Sequence, residues 1–88
     1  MISTTIIVPN KAGLHARAAA KFVATTAGFK SKITLANGEK TVDGKSILSL
    51  MLLAAPQGSE LNLTLDGADE DQALQAILKL LEERFGEE

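Results

Sequence analysis

Apolar residues recur along the chain with two different periods, and each period predicts one kind of element. Alternation at every second residue is typical of a half-buried strand, whereas repetition about every 3.6 residues is typical of an amphipathic helix. The sequence predicts three helices, at Ala16–Ala27, at Ser46–Ala55 and after Asp69. It predicts four strands, at Ile2–Val8, Lys32–Ala36, Glu39–Asp43 and Glu60–Asp66.

Turn and cap residues mark where these elements begin and end. Asn37-Gly38 is the strongest hairpin signal, Gly28 is typical of a helix C-terminus, and Asp69 with Gln72 three residues later predicts a capping box. Core-facing stripes are expected on the first and the last helix. The first stripe comprises Ala16, Ala19, Ala20, Val23 and Ala27, and the last comprises Leu74, Ile77, Leu78, Leu81 and Phe85.

The order of elements is therefore strand, helix, strand, strand, helix, strand, helix. Strands with a single apolar face are stable only when helices cover that face. The sequence predicts an α+β fold, an open-faced βαββαβα sandwich with a four-stranded, mainly antiparallel sheet and three helices packed on one face. Because 88 residues have room for one core, residues 1–88 are expected to form a single domain.

Composition removes several classes of function. With no cysteine and one histidine, the chain lacks the residues for disulfides, thiolate sites and multi-histidine metal centres, so neither a metal nor a cofactor is expected. The longest uncharged apolar run, residues 47–56, is shorter than the ~20 residues of a membrane span, so no membrane insertion is expected. No basic residue precedes Lys11, so we expect a cytoplasmic protein without a secretory signal.

Charge is divided unevenly along the chain, although the net charge is only −2. Residues 1–45 hold seven basic residues against two acidic ones, whereas residues 46–88 hold two basic residues against nine acidic ones. A basic face would steer an acidic partner or a phosphate, while a solvated surface with chance clustering would give the same count.

The candidate chemistry lies at Gly13-Leu14-His15-Ala16-Arg17, where the lone histidine precedes the first helix. A helix N-terminus offers free N–H groups and a partial positive charge, so the Ala16 and Arg17 amides could hold phosphoryl oxygens and the Arg17 guanidinium could add a bidentate contact. The same positive end disfavours an imidazolium, which predicts a nucleophilic His15 ring. No serine or carboxylate stands nearby as a triad partner, so a group acceptor fits better than a hydrolase. The alternative is a histidine that serves only as a helix cap.

A second feature is the apolar segment at residues 46–53. Leu50 and Leu53 are expected to face the core, which leaves the rest of a short helix exposed. An exposed apolar patch usually marks a partner surface, and the alternative is a helix sunk between its neighbours. The patch would comprise Ile47, Leu48 and Met51. Ser46 is expected to cap this helix, where a phosphate would be tolerated.

These two motifs at this spacing resemble the histidine-containing phosphocarrier (HPr) family of the bacterial phosphoenolpyruvate-dependent phosphotransferase system. The residues that carry the resemblance are Gly13-Leu14-His15-Ala16-Arg17 and, some 30 residues later, Lys45-Ser46-Ile47. Length and element order agree with it along the whole chain. One departure is Ala18, where the family pattern usually has a proline, a residue favoured in a first helical turn.

The resemblance implies a carrier, not an enzyme that turns over a small substrate. Enzyme I would phosphorylate His15 on Nδ1, Arg17 would stabilise the phosphoryl group, and His15 would pass it to a histidine of an enzyme IIA domain. Ser46 matches the serine that an HPr kinase/phosphorylase modifies in some bacteria. The patch of Ile47, Leu48 and Met51 falls where family members dock both partners. A monomer suits such a carrier.

Three alternatives accompany this interpretation. Ala18 leaves open a nitrogen-related regulatory phosphotransferase chain in place of sugar uptake. A regulatory binding module controlled by Ser46 phosphorylation would not need His15. A single-stranded nucleic-acid binder stacks bases on strand aromatics, and Phe22, Phe29 and Phe85 all lie outside the predicted strands, so no nucleic-acid partner is expected.

Overall fold

The computed structural model describes residues 1–53 and 55–86. The described chain contains four strands and three helices, followed by one 3₁₀ turn at Arg84–Gly86. In chain order they are β1 (Ile2–Ile7), α1 (Ala16–Thr26), β2 (Lys32–Asn37), β3 (Lys40–Asp43), α2 (Ile47–Leu53), β4 (Glu60–Asp66) and α3 (Glu70–Glu82). The predicted element order is confirmed.

The four strands form one sheet in the order β1-β4-β2-β3, and all three pairings are antiparallel. β4 lies between β1 and β2, with Leu65 opposite Ile2 on one side and Ile33 on the other. Because side chains alternate along a strand, Leu61, Leu63 and Leu65 all point to the same side of β4, and all three are buried. The helices cover this side of the sheet, which confirms the predicted open-faced α+β sandwich.

The core lies between this inner face and the three helices. Each helix contributes at least one fully buried apolar residue, Phe22 from α1, Leu50 from α2 and Ile77 from α3. These side chains belong to one continuous cluster with the inward-facing residues of the sheet. The position of α1 is therefore fixed by its packing against α2 and α3 as well as by the loop that leads into it.

The predicted hairpin forms, with a two-residue loop at Gly38 and Glu39 between the paired residues Asn37 and Lys40. Gly38 has a φ of +65°, a left-handed conformation that glycine adopts without the strain of a Cβ. The glycine of the Asn-Gly signal is therefore the residue that turns the chain.

The predicted stripe of α1 was correct for Ala19 but wrong for Ala16, Ala20 and Ala27, which are exposed. Val23 is half-buried and packs against the core. The buried residues of α1 are Ala18, Ala19, Phe22 and Thr26. Phe22 has the largest apolar surface on this helix, and burying it turns the helix by about one residue from the alanine stripe. The buried Thr26 hydroxyl donates a hydrogen bond to the Gly44 carbonyl at 2.9 Å, which compensates for its removal from water.

The predicted end of α1 is confirmed in position, because its C-cap is Ala27 and Gly28 follows, but Gly28 does not adopt the left-handed conformation of a helix-terminating glycine. The predicted bounds of the second helix were wrong. The second helix was predicted over Ser46–Ala55 but occupies Ile47–Leu53. Residue 54 lies outside the described residues. Ala55 is not helical, and its carbonyl instead accepts a hydrogen bond from the Leu14 N–H at 2.8 Å.

The predicted capping box of α3 does not form. The Asp69 carboxylate makes no cap bond and accepts hydrogen bonds from the Ser31 hydroxyl and from the Lys30 and Ser31 N–H groups. The Ser31 hydroxyl, followed by the Lys30 N–H, holds the pKa of Asp69 below its ordinary range. The carboxylate thus ties the start of α3 to the loop before β2.

Glu70 is a second carboxylate that accepts hydrogen bonds at the start of α3. Its carboxylate accepts hydrogen bonds from the Gly67 N–H at 3.1 Å and from the Met1 ammonium at 3.0 Å. The Gly67 N–H and then the ammonium lower the pKa of Glu70, and the hydrogen bond to Glu70 raises the pKa of the Met1 amine. The start of α3 is thus tied to the start of the chain.

The predicted stripe of α3 was correct for Ile77 but wrong for Leu78, which is 42% exposed. Ala73 and Ile77 are buried, and Leu74 and Leu81 are half-buried. Phe85 is buried as predicted, but it lies in the 3₁₀ turn with a φ of +57°, because α3 ends at Glu82. The chain turns back at this point and places the ring in the core.

Candidate functional site at the start of the first helix

The loop before α1 is held against the segment that follows α2. Gly13 has a φ of +76°, and a Cβ at this position would lie 2.6 Å from the Ala55 carbonyl oxygen, so only glycine fits without a shift of the backbone. The next residue, Leu14, is buried and donates its N–H to the same carbonyl. These contacts fix the position of the loop relative to Ala55 at the point where the chain enters α1.

His15 is the N-cap residue of α1. Its backbone is extended (φ −91°, ψ −173°), and its carbonyl accepts the first helical hydrogen bond, from the Ala19 N–H at 2.8 Å. The ring nitrogen Nδ1 accepts a hydrogen bond from the Arg17 N–H at 3.2 Å. An imidazole nitrogen accepts a hydrogen bond only through its lone pair, so Nδ1 is the nitrogen with nucleophilic character in this geometry.

The electrostatic surroundings of His15 favour an anion. The first turn of α1 contains no acidic residue, so its partial positive charge is not neutralised locally. Arg17 is exposed, and its guanidinium forms no ion pair or hydrogen bond within the described residues 1–53 and 55–86. A phosphoryl group on Nδ1 would therefore meet the N–H groups of the first turn, including the Arg17 N–H that now donates to Nδ1, and a guanidinium on the same turn.

His15 opens into a shallow depression of about 340 Å³ that contains one residue of the predicted patch, Met51. The depression is bordered by α1 and α2, by the loop that precedes α1 and by the segment that follows α2. Its lining residues are Ala12, Leu14, His15, Ala16, Met51, Ala55 and Pro56. The structure therefore brings together His15, Ala16 and Met51.

The other predicted site residues lie outside this depression, Arg17 on α1 beside Ala16, and the rest on α2 or directly before it. Ile47 is 41% exposed and Leu48 is 69% exposed, as predicted from the inward orientation of Leu50 and Leu53. Leu52, 64% exposed, extends this apolar surface and was missed, although the inward positions of Leu50 and Leu53 already place it outward. The half-buried Ser46 is a helix cap whose hydroxyl accepts the Ser49 N–H at 3.2 Å.

Other surface features of the described chain offer no comparable chemistry. A larger groove of about 860 Å³ lies between β1 and α3, but it contains neither His15 nor Arg17. Within residues 1–53 and 55–86 no group of three metal-ligating side chains is close enough to hold an ion. No helix in the same part of the chain is both long and apolar enough to cross a bilayer.

Sequence reasoning missed the residues that support His15. Leu14 and Ala55 anchor the loop, and Asn10, which is only 3% exposed, donates its side-chain amide to the Gly13 carbonyl. From the sequence alone, Asn10 is an ordinary turn residue between the first strand and the first helix. A buried asparagine cannot be distinguished from an exposed one without the path of the chain.

The family model for the PTS HPr component phosphorylation site matches residues 2–83. The phosphocarrier protein HPr of Xylella fastidiosa strain 9a5c is 48% identical over 88 residues, which cover 100% of this chain and 99% of that protein. The crystal structure of HPr from Thermoanaerobacter tengcongensis superposes with a TM-score of 0.94 at 44% identity, covering 100% of this chain and 99% of the other.

A second crystal structure from Thermoanaerobacter tengcongensis is an HPr dimer, with a TM-score of 0.78 and 44% identity over 99% of this chain and 100% of the other. The expectation of a monomer therefore stays a prediction. The family match over nearly the whole chain and the full-length relatives lead to one conclusion. This chain belongs to the HPr family, the phosphocarrier proteins of the phosphotransferase system.

Proposed function

We propose that this protein carries a phosphoryl group on His15, accepting it from phosphorylated enzyme I and passing it to a histidine of an enzyme IIA domain. The observation that carries the proposal is the hydrogen bond from the Arg17 N–H to Nδ1 of His15. It places the lone pair of Nδ1 at the amide end of α1, where negative charge is stabilised.

The transfer is a displacement at phosphorus. The Nδ1 lone pair forms the new nitrogen–phosphorus bond while the bond from phosphorus to the donor nitrogen breaks, and the donor imidazole leaves with that electron pair. The Arg17 N–H would then donate to a phosphoryl oxygen, and the Arg17 guanidinium would neutralise part of its charge. In onward transfer, a nitrogen of the acceptor histidine forms the new bond to phosphorus while the Nδ1–phosphorus bond breaks and the His15 ring keeps that electron pair. The protein returns to its starting state after each transfer and acts as a stoichiometric carrier, not as an enzyme that turns over a small substrate.

Partner docking is proposed for the exposed apolar surface of α2, comprising Ile47, Leu48 and Met51. Met51 borders the depression that contains His15, so a partner on this surface would have its own active histidine close to Nδ1. A small apolar patch also suits fast exchange between two partners, since transient complexes use small interfaces.

The test is a reconstituted reaction with labelled phosphoenolpyruvate and enzyme I. The wild type should acquire one phosphoryl group in an acid-labile, base-stable linkage, and NMR should place it on Nδ1. His15→Ala should remain folded, by thermal unfolding, and take up no label. A wild type without label, or equal labelling of His15→Ala, would contradict the proposal.

The same assay addresses the downstream branch. Both sugar uptake and a nitrogen-related regulatory chain would use His15, and they differ in the enzyme IIA domain that receives the phosphoryl group. Transfer from the labelled protein to a sugar-specific enzyme IIA, compared with transfer to a nitrogen-related one, distinguishes them. We favour sugar uptake and its regulation, and at least tenfold faster transfer to the nitrogen-related domain would overturn that choice.

A second role is proposed for Ser46, as a regulatory site for an HPr kinase/phosphorylase. Its hydroxyl caps α2 next to the exposed Ile47, so a phosphate there would add about two negative charges beside the docking surface. Ser46→Asp should slow transfer from enzyme I, while Ser46→Ala should leave it unchanged. Equal rates in both variants would exclude this role.

We further propose that the carrier acts as a cytoplasmic monomer. A single helix start and a single patch provide all the groups that the transfer requires. Sedimentation equilibrium should give the mass of one 9.3 kDa chain. A stable dimer, as in the Thermoanaerobacter tengcongensis crystal, would overturn the prediction.

A further inference from the structure

Asn10 is a buried polar residue in the loop that leads to His15. Only 3% of it is exposed. Its side-chain amide donates a hydrogen bond to the Gly13 carbonyl at 2.9 Å, and its own carbonyl accepts one from the Gly13 N–H at 3.2 Å. Asn10 therefore closes the turn at residues 10–13 with two bonds, one from its side chain and one from its backbone.

The Gly13 carbonyl is also an acceptor for His15. The His15 N–H donates to it at 3.0 Å, so the Asn10 amide and the His15 backbone are joined through a single oxygen atom. The other side of Gly13 is closed by the Ala55 carbonyl, which lies within 2.6 Å of where a Cβ would be. The Gly13–Leu14 peptide unit is thus held from two sides, its carbonyl by Asn10 and its N–H by the Ala55 carbonyl.

From this arrangement we propose that Asn10 is a positioning residue for His15. The inference deepens the proposed phosphocarrier function and depends on it. By fixing the Gly13 carbonyl, Asn10 sets the extended backbone of His15 and hence the ring position in which Nδ1 meets the Arg17 N–H. Displacing a reacting group by about 1 Å can reduce a rate by about a hundredfold, so a buried amide that acts through one oxygen can affect transfer without touching phosphorus.

Two substitutions at Asn10 test the inference. Asn10→Asp keeps the shape of the side chain but removes the N–H donor at neutral pH, and Asn10→Ala removes the polar group altogether. The matched control is Thr26→Val, which also removes a buried side-chain donor to backbone carbonyls, those of Gly44 and Val23, but at the far end of α1. All three variants should lose comparable stability, and only those at Asn10 should affect His15.

The first readout is the maximal rate of phosphoryl acceptance at saturating phosphorylated enzyme I. It should fall about tenfold in both Asn10 variants, with KM for enzyme I changed by less than about twofold because Asn10 does not line the docking surface. Thr26→Val should retain the wild-type rate. Asn10 variants as fast as Thr26→Val, or a change confined to KM, would overturn the inference.

The second readout needs no phosphoryl transfer. The ¹⁵N shifts of the His15 ring in the unmodified protein should change in Asn10→Asp and Asn10→Ala, reporting a weaker bond between the Arg17 N–H and Nδ1, and should be unchanged in Thr26→Val. Unchanged ring shifts in the Asn10 variants would contradict the positioning role even if wild-type transfer succeeds. A wild type that takes no label would contradict the proposed function, while the ring shifts would still decide the role of Asn10.

If neither Asn10 variant folds, the wild type provides the answer. Titration of His15 should shift the Asn10 side-chain amide resonances with the same midpoint as the His15 ring, whereas the exposed amide of Asn37 should not respond. Asn10 resonances that stay constant through the titration would overturn the inference.

Discussion

The starts of α1 and α3 are physically alike but chemically opposite. Both present the positive end of a helix, with amides that have no acceptor within the helix. At α3 this end carries Glu70 and Asp71 in the first turn, and Asp69 and Glu70 are bonded to other parts of the chain. The first turn of α1 has no acidic residue and is preceded by His15.

The difference shows how one fold uses the same feature for stability and for chemistry. Carboxylates at the start of α3 tie it to the loop before β2 and to the Met1 amine, which makes that end part of the scaffold. The first turn of α1 has no carboxylate to neutralise its partial positive charge, and the loop before it is held by the hydrogen bond from the Leu14 N–H to the Ala55 carbonyl. The proposed binding of a phosphoryl group at this turn depends on that missing carboxylate.

The largest expected effect comes from making α1 resemble α3. Arg17→Glu introduces an acidic residue into the first turn of α1 and removes the guanidinium. Phosphoryl acceptance should fall by about a hundredfold, the magnitude typical of losing a preorganised charge contact. The helix itself should be stabilised by about 0.5 kcal/mol through the dipole. Stopped-flow transfer from enzyme I and urea unfolding measure the two quantities, and a rate within about threefold of wild type would show that the charge of the turn is irrelevant.

A second test compares two equally exposed apolar residues, one beside His15 and one on α3. Met51 is 41% exposed beside His15, and Leu78 is 42% exposed on α3. Met51→Glu should weaken transfer about tenfold because a charge enters the docking surface, whereas Leu78→Glu should leave transfer unchanged. Thermal unfolding of both variants checks the fold. Loss of transfer in both would place the docking surface elsewhere, and unfolding of Met51→Glu would show that the residue belongs to the core.

The reverse substitution concerns α3. Asp69→Asn keeps the size of the side chain but replaces one acceptor oxygen with an amide, which weakens the bonds from Ser31 and Lys30. The thermal unfolding midpoint should fall by several degrees, while the rate of phosphoryl transfer stays that of the wild type. Differential scanning calorimetry with the transfer assay separates the two effects. Slower phosphoryl transfer without a lower thermal unfolding midpoint would contradict the proposal that the start of α3 serves stability and the start of α1 serves transfer.

The pH dependence of stability should come from α3 and the Met1 amine. Because the folded-state pKa values of Asp69 and Glu70 are lowered, their contribution is present above the ordinary carboxyl range and is lost as the pH falls below about 4. The raised pKa of the Met1 amine gives a contribution that is present below about pH 8 and is lost as the pH rises through the folded-state value. Unfolding midpoints from pH 2 to pH 10 should show both losses. Glu70→Gln should reduce both losses, Asp69→Asn only the acid one, and identical profiles for these variants would contradict the assignment.

The smallest expected effect concerns Ala18, which stands where the family pattern usually has a proline. Ala18 is fully buried in the first turn of α1, where an N–H has no acceptor within the helix. Ala18→Pro should raise the free energy of unfolding by about 0.5 kcal/mol, because the unfolded chain loses freedom, and should leave transfer unchanged. Urea unfolding measures the change, and a loss of more than about 1 kcal/mol would mean that the buried ring does not fit.

The sequence was sufficient to predict an element of the fold wherever only one local pattern was present and no distant contact opposed it. The alternation in β4 gave its bounds as Glu60–Asp66, and the Asn-Gly signal located the hairpin. The sequence failed where tertiary contacts override local preference. Burial of Phe22 sets the rotation of α1 and leaves part of the predicted alanine stripe exposed. Ser31, which is remote in sequence, bonds the Asp69 carboxylate that the capping box would have used.

For the candidate site, the sequence predicted a nucleophile, His15, but not the residues that hold it in place. His15 and Arg17 stood out because a glycine, a lone histidine and an arginine preceded a helix. The bonds from Leu14 to Ala55 and from Asn10 to Gly13 depend on how the loop folds back, which no spacing encodes. Support residues of this kind become visible only when distant segments are seen side by side.

The pairing of β1 with β4 has a consequence for synthesis on the ribosome. Ile2 pairs with Leu65, so β1 has no partner until the ribosome has translated β4, more than fifty residues later. At roughly 5–20 residues per second this delay lasts several seconds, during which the uncharged Ile2–Ile7 segment is exposed to aggregation or chaperones. The carrier site forms late for the same reason, because the carbonyl that anchors Leu14 belongs to Ala55. An incomplete nascent chain would therefore not present His15 in its folded setting.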